Sequence, residues 1–432
     1  MLKTIDQLSK EYHQDTIKLR RDFHKYPETG WLEIRTSSLI ARYLDNLGYE
    51  VLVGKDIIKE SSRMGLPSQN EFDIAYKKAL NQGADEKYAN KVKNGFTAVA
   101  GVLKNGDGPC VCIRFDIDAL GVNESQNDNH VPYKEGFHSL NKGVMHACGH
   151  DSHTAIGLTV ARVLMNIKDS IQGTVKLVFQ PAEEGVMGAK CIVDSGFLDD
   201  VNYLYAAHIM PRNEDYDIIP GMNNSFATTK LDVIYHGLST HAAVSPEIGK
   251  NALLSAANCI LNLHGIARNS EGKTRVNVGK VTAGTSRNVI ADEAKLELEV
   301  RGETTSINEY METTAKNIIN ASALMYNTTV DIIEMGKAYS LECDTDFMND
   351  IRNMFIDTDI KVSSYNLSSL GASDDISYML SKVQENGGKA TYMKLLTDVK
   401  ASLHNNCYDF NEEILMKGVK IMASIAYCLL KK

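Results

Sequence analysis

Three histidines, one cysteine and one aspartate fall inside MHACGHDSHTA, Met145 to Ala155. A soft thiolate, imidazoles and a carboxylate so close together suit Zn²⁺ or a neighbouring divalent ion. His146 and His150 have a spacing used for zinc on a helix, but Gly149 between them disfavours a helix there and no HExxH is present. Cys148 with a histidine base is a second chemistry open to the segment, although no cysteine-protease signature surrounds it. A third reading is a turn and helix start, with Asp151 capping a helix from Ser152. That reading does not exclude ligation by its neighbours. His146 and His153 are expected not to be ligands, and His24 and His236 to be structural.

Further donors stand where strands end. Asp116 and Asp118 follow PCVCIRF, Glu183 and Glu184 follow GTVKLVFQ, His208 closes VNYLYAA, and His404 follows ATYMKLL after a short loop. In a doubly wound sheet the carboxyl ends of the strands border the ligand crevice, so these residues would converge there. The scaffold is legible in the periodicity. Residues 5–26 read as an amphipathic helix, 37–47 as a helix closed by Gly48, and His153–Ile167 as an apolar-faced helix. Residues 54–94 are polar, helical in their second half, and look like an elaboration ahead of the next strand. Strands alternating with helices imply a largely parallel sheet. After about residue 222 the order becomes strand (230–237), helix (251–268), two strands (274–284, 294–302), helix (306–327) and strand (328–336). That is a βαββαβ block of ferredoxin-like type inserted into the larger domain. A helix over 344–356, a strand near 360, a helix, the strand ATYMKLL and a closing helix from Asn411 complete the chain. The expected division is 1–221 with 337–432, and 222–336.

Composition narrows the class. A chain of 432 residues that is 43% hydrophobic can bury a core and exceeds one ordinary domain. The net charge of −9, spread along the chain, argues against nucleic-acid binding. The opening MLKTIDQLSKEYHQD has no apolar signal region and no long apolar run follows, so a cytoplasmic chain with no membrane partner is expected. The eight scattered cysteines are expected to be free thiols, and Cys110 and Cys112 to be core residues.

RRDFHKYPETGW, RFDIDAL, MHACGHDSHTA, FQPAEEG, AAHIMP, HAAVSPEIGKNALL, GTSRNVIADEAKLELEVRG and LHNNCYDFNEE, in this order, resemble the M20 metallopeptidase family in its aminoacylase and N-acyl-amino-acid amidohydrolase branch. The resemblance runs from about residue 20 to residue 413. SSRMGLP within 54–94, NSFATTK and NSEGKTRVNVG are similar to the members of that branch that act on p-aminobenzoyl-glutamate. The family's fold implies a zinc-peptidase-like α/β catalytic domain carrying an α+β ferredoxin-like lid or dimerisation domain. Its chemistry implies two divalent metal ions, Zn²⁺ or Mn²⁺.

Residue by residue, the resemblance makes Cys148 the bridge between the two metals, in place of the usual aspartate. His150 and Glu184 would hold the ions from one side, His208 and His404 from the other. Glu183 would be the general base. One of Asp116 and Asp118 would orient His150 from behind. His241 would reach a neighbouring subunit's site and polarise the scissile carbonyl, while Asn288, with Arg301 as a weaker candidate, would bind the substrate carboxylate. The implied reaction is hydrolysis of the amide bond of an N-acyl amino acid, such as the N-aroyl glutamate p-aminobenzoyl-glutamate. Alternatives are an N-acetyl-amino-acid deacetylase or dipeptidase, a catalytically inactive partner chain, and a Cys148 acyltransferase. Either a homodimer or a heteromer with a related chain would fit. Asn251, Ala291 and the single histidine of SLHNN depart from the family's usual aspartate, proline and paired histidines, which bears on the substrate more than on the metals.

Overall fold

The computed structural model describes residues 1–223, 225–364, 368–369 and 372–432, with backbone alone at 368–369. Asn224, the first residue of the NSFATTK match, lies outside the described residues. In chain order the strands are β1 (Glu50–Val53), β2 (Val99–Asn105), β3 (Cys110–Asp116), β4 (Gly173–Gln180), β5 (Tyr203–Pro211), β6 (Ile218–Ile219), β7 (Met222–Asn223), β8 (Ala227–His236), β9 (Thr274–Ala283), β10 (Glu293–Gly302), β11 (Thr329–Ala338), β12 (Ser368–Ser369) and β13 (Lys389–Thr397). Contacts divide the chain into two compact units. One comprises Met1–Asn223, Glu342–Ser369 and Asp375–Lys432; the other comprises Asn224–Leu341 with Leu370–Asp374.

The first unit is built on a seven-stranded sheet of order β1-β2-β4-β3-β5-β13-β6. Its centre, β4-β3-β5-β13, is parallel, while β1, β2 and β6 pair antiparallel with their neighbours. Every residue of β3 is buried, Cys110 and Cys112 included. Burial on both faces is why CVCIRFD reads as an unbroken run rather than an alternation. The helix His150–Asn166 packs against the helices Glu413–Leu430 and His13–Lys25, and Ile376–Glu385 packs against β13.

Two expectations need correcting. The helix expected over 5–26 is two helices, Leu2–Glu11 and His13–Lys25, broken at Tyr12, whose φ of −89° and ψ of 0° open the turn between them. The Tyr12 ring is buried, with the Arg162 guanidinium 3.7 Å from its centroid. Near 360 there is a single parallel bridge, Ile218 to Val362, rather than a strand. The polar elaboration holds short turns at Gly54–Asp56 and Glu60–Ser62 and helices at Gln69–Asn81 and Glu86–Val92. No helix among the described residues is long and apolar enough to cross a membrane.

The second unit runs β8, helix Ala252–His264, β9, β10, helix Thr305–Met325, β11. Its sheet, β11-β8-β10-β9, is antiparallel throughout. Burial along β10 alternates residue by residue, which leaves one face for packing. Leu231, Val233, Tyr235, Leu296 and Leu298 from the sheet form a core with Met311 and Ile319 from the second helix.

Candidate metal centre

The parallel strands deliver the donors. Asp116 ends β3 opposite Gln180 at the end of β4, and His208 lies near the end of β5 opposite Lys394 of β13. Gly149 takes a φ of 89°, where a side chain would be strained, and turns the chain into a helix that starts at His150. The expected start at Ser152 is therefore two residues late. Asp151 is also not the cap. One of its oxygens accepts from the Ser152 amide at 2.9 Å, and the other accepts from Arg20 at 2.9 Å and from His24 at 2.8 Å.

All the acid, thiol and imidazole candidates of the first unit come together. Ligand atoms of Cys148, His150 and His208 lie within 4.8 Å of one another, as do those of Cys148, Glu184 and His404, and those of His150, Glu183 and Glu184. Cys148 is common to the first two triads. Its Sγ is 3.4 Å from Nε2 of His208. Nε2 of His150 is 3.8 Å from Glu183, 3.9 Å from Glu184 and 3.7 Å from Asp116, and it is buried without a hydrogen-bond partner. His404, at φ 66°, places Nε2 3.5 Å from Glu184, and its amide donates to Ala147 O at 2.8 Å, tying the late loop to the central motif.

Two of the imidazoles are turned from behind. His150 donates from Nδ1 to the carbonyl oxygen of Asp118 at 2.9 Å, and His208 donates from Nδ1 to the carbonyl of Ile209 at 2.7 Å. Both present Nε2 to the cluster, the usual arrangement of a ligating histidine. Asp118 also accepts the Glu184 amide through Oδ2 at 3.0 Å, so one residue orients two donors. Asp116 is bound by Arg114 and by His153 Nδ1. His153 Nε2 accepts the Ile209 amide at 3.0 Å, which leaves that ring no free nitrogen.

The cluster is electrostatically unbalanced. Burial, with Glu184, Glu183 and Asp116 nearby, pushes the Cys148 thiol well above its usual range. Burial, with Asp118 and Asp116, lifts Glu184 to about 7 against the pull of His150. Burial opposes a charged His150, but Asp116, Asp118 and Glu184 outweigh it and push its pKa up to about 10. Burial also disfavours ionised Asp116, yet His150, His153 and Arg114 hold it well below the carboxylate range. Acids and a thiol gathered in one buried place thus retain protons that a cation would displace. The donor set of one thiolate, three imidazoles and a carboxylate suits Zn²⁺ or a similar ion.

Beneath this cluster lies a second one that the sequence motifs do not single out. Arg20 reaches Asp151, Asp409 at 2.8 Å and Glu412 at 3.1 Å, and His24 bridges Asp151 and Glu124. Burial opposes the charge on His24, but Asp151 and Glu124 raise its pKa to about 9. His146, buried with both ring nitrogens unpartnered, is pushed by burial down to about 3. RRDFHKYPETGW carries Arg20 and His24, MHACGHDSHTA carries Asp151, and LHNNCYDFNEE carries Asp409 and Glu412, but nothing in the motifs shows that these residues meet.

The remaining candidates lie in the second unit. His241 and Asn288 are exposed and adjacent: His241 bridges Val289, and the Ala242 amide donates to Asn288 O at 3.0 Å. His241 Nδ1 accepts from the Ala243 amide at 3.2 Å, which places the proton of the neutral ring on Nε2. Arg301 engages Glu299 through two bonds of 3.0 Å and Ser373 at 3.3 Å.

Peptidase family M20/M25/M40 matches this sequence over residues 112–427. The chain belongs to that family. It is 41% identical to indole-3-acetyl-aspartic acid hydrolase of Enterobacter agglomerans over 94% of each chain. It is 40% identical to one of the subunits of p-aminobenzoyl-glutamate hydrolase of Escherichia coli K12, again over 94% of each. Among solved structures it resembles the aminobenzoyl-glutamate utilization protein of Klebsiella pneumoniae, with a TM-score of 0.83, 34% identity and 98% of each chain covered. Membership makes this M20 protein a hydrolase of C–N bonds, with the mixed α/β fold and inserted domain of its relatives.

Proposed function

We propose that this M20 protein hydrolyses the amide bond between an aromatic acyl group and an acidic amino acid, p-aminobenzoyl-glutamate being the leading candidate. The observation that carries the reading is the pair of triads sharing Cys148, one with His150 and His208, the other with Glu184 and His404. In this reading Cys148, His150, His208, Glu184 and His404 would hold two divalent ions, Zn²⁺ or Mn²⁺. When bound, the ions supply the charge that makes a water nucleophilic near neutral pH and polarises the amide carbonyl. Glu183, beside the donors and not needed to hold an ion, takes the proton from the attacking water and returns it to the leaving amine. His241 donates from Nε2 to the carbonyl oxygen as charge builds there. Asn288 binds the α-carboxylate; Arg301, neutralised by Glu299, contributes less. The second unit serves as lid and dimerisation domain, so His241 and Asn288 act on a neighbouring subunit's site.

The two named relatives act on an aroyl-glutamate and on an indole-acetyl-aspartate. Both pair an aromatic acyl group with an acidic amino acid, which favours that substrate class over N-acetyl amino acids or dipeptides. A cytoplasmic setting is consistent with eight unpaired cysteines. Because one relative is a single subunit of a larger hydrolase, a heteromer with a related chain competes with a homodimer. The test is hydrolysis of p-aminobenzoyl-glutamate, indole-acetyl-aspartate and a panel of N-acetyl amino acids and dipeptides, with Glu183→Ala as control. Turnover of the aromatic acyl-acidic substrates that is lost in Glu183→Ala is expected. Preference for N-acetyl substrates would replace the proposed class. No turnover by protein carrying its full complement of metal would favour an inactive partner chain.

A further inference from the structure

The loop Pro181–Gly188 carries Glu183 and Glu184, and its shape is not one the chain adopts freely. Ala182 and Val186 have φ of 55° and 56°, a region that L side chains avoid, β-branched ones above all. Two turn bonds close it, from the Val186 amide to Glu183 O at 2.7 Å and from the Met187 amide to Ala182 O at 3.1 Å. The two ends of the loop touch. A Cβ at position 188 would stand 1.7 Å from Pro181 O, so only glycine fits.

Two buried carboxylates from distant segments grip these ends. At the entry, Glu33 Oε1 accepts the Ala182 amide at 2.8 Å, while its Oε2 accepts from the Thr97 hydroxyl at 2.7 Å. At the exit, Asp375 Oδ2 accepts the Gly188 and Ala189 amides at 2.9 and 2.8 Å, while its Oδ1 accepts from Gln180 Nε2 at 2.8 Å. Glu33 and Asp375 are both fully buried, and neither belongs to the two triads that share Cys148.

We propose that Glu33 and Asp375 are positioning residues, which hold the loop in the strained conformation that sets Glu183 and Glu184. This rests on the function proposed above for those two glutamates. The grip acts where backbone amides would otherwise be buried without acceptors, so releasing either end lets Ala182 and Val186 relax. A shift of the loop by about 1 Å is enough to cost a hydrolase about a hundredfold in rate.

The two grips differ in what they tolerate. Glu33→Gln retains an acceptor for the Ala182 amide, and its NH₂ can donate to Thr97, whose hydroxyl can turn to accept. Asp375→Asn compensates less well, because an oxygen kept for the Gly188 and Ala189 amides turns its NH₂ against the Gln180 Nε2 donor and pushes that end of the loop out of place. Gln180 cannot turn round, since its Oε1 is occupied by Arg114 Nε at 2.9 Å.

The test compares Glu33→Ala, Glu33→Gln, Asp375→Asn and Thr97→Val in the full-length protein by three readouts. These are hydrogen exchange of a peptide spanning 181–190, Zn²⁺ titration, and steady-state kinetics on the best substrate. Glu33→Ala and Asp375→Asn should speed exchange in that peptide, weaken Zn²⁺ binding, and lower kcat at least about tenfold with KM changed less than about threefold. Glu33→Gln should restore all three. Thr97→Val, which disturbs the same buried spot but keeps the Ala182 tether, should lower the unfolding temperature without lowering kcat. Unchanged exchange in Glu33→Ala would overturn the proposal, as would faster exchange with kcat intact, or a loss of kcat in Thr97→Val matching that in Glu33→Ala. Wild-type protein that turns over no substrate would contradict the proposed function alone, since exchange and Zn²⁺ binding would still decide the grip.

Discussion

Two buried charged clusters sit one behind the other in the first unit, and they differ in pairing. Around Arg20 every charged group meets a hydrogen-bonded partner of opposite sign. The guanidinium and the His24 imidazolium face Asp151, Asp409, Glu412 and Glu124, each through a hydrogen-bonded pair. Around Cys148 the pairing is incomplete: Glu183, Glu184, Asp116 and a thiol gather about His150, whose facing nitrogen has no partner. A buried cluster whose groups are all paired satisfies itself, and removing one member strands the others. An incompletely paired one is held in place by the surrounding structure and is completed only by a cation. The first supports the helix start at His150, and the second uses it.

The comparison can be broken from either side. The largest expected effect is on chemistry: Glu183→Gln should lower kcat about a thousandfold while leaving the unfolding temperature and metal content near wild type. Kinetics with metal analysis of the same sample checks this. Arg20→Met should do the reverse, destabilising by about 3–5 kcal/mol because it strands buried carboxylates. Urea unfolding measures that cost.

Next comes pH. The raised pKa of His24 means its stabilisation is complete below its unfolded value of 6.5 and is lost as pH rises through about 9. Across that window the His24 contribution to the unfolding free energy should fall by about 3 kcal/mol, and His24→Gln should make the slope shallower by that amount; urea midpoints at several pH values read it. The smallest effect is expected at Arg301, where Arg301→Ala should change stability by less than about 1 kcal/mol, because its pair with Glu299 is partly exposed.

Much of this was legible in the sequence. Strand-end positions placed Asp116, Glu184 and His208 together, because in a parallel sheet the polar residue after a buried run has one place to go. The ferredoxin-like block was legible from the order of its strands and helices, realised as β8 to β11 with two helices. The rest was hidden for physical reasons. The helix start was misplaced because Gly149 leaves the helical region one residue before His150, and composition does not report φ. The meeting of the Arg20 cluster's members and the two loop grips were missed because the partners are remote: Arg20 lies 131 residues from Asp151 and 389 from Asp409, Glu33 lies 149 from Ala182, and Asp375 lies 187 from Gly188. A lone carboxylate in a helical or loop segment carries no periodic mark of such a partner.

The Cys148 cluster is proposed to hold two cations. Calorimetric titration of metal-free protein with Zn²⁺ at pH 7, in buffers of different ionisation enthalpy, tests this proposal most directly. With Cys148 and His150 both protonated in metal-free protein, binding of two ions should release about two protons or more. Cys148→Ser should weaken both binding steps, since one thiolate serves both triads. Binding of a single ion, no proton release, or two steps indifferent to Cys148→Ser would contradict the account.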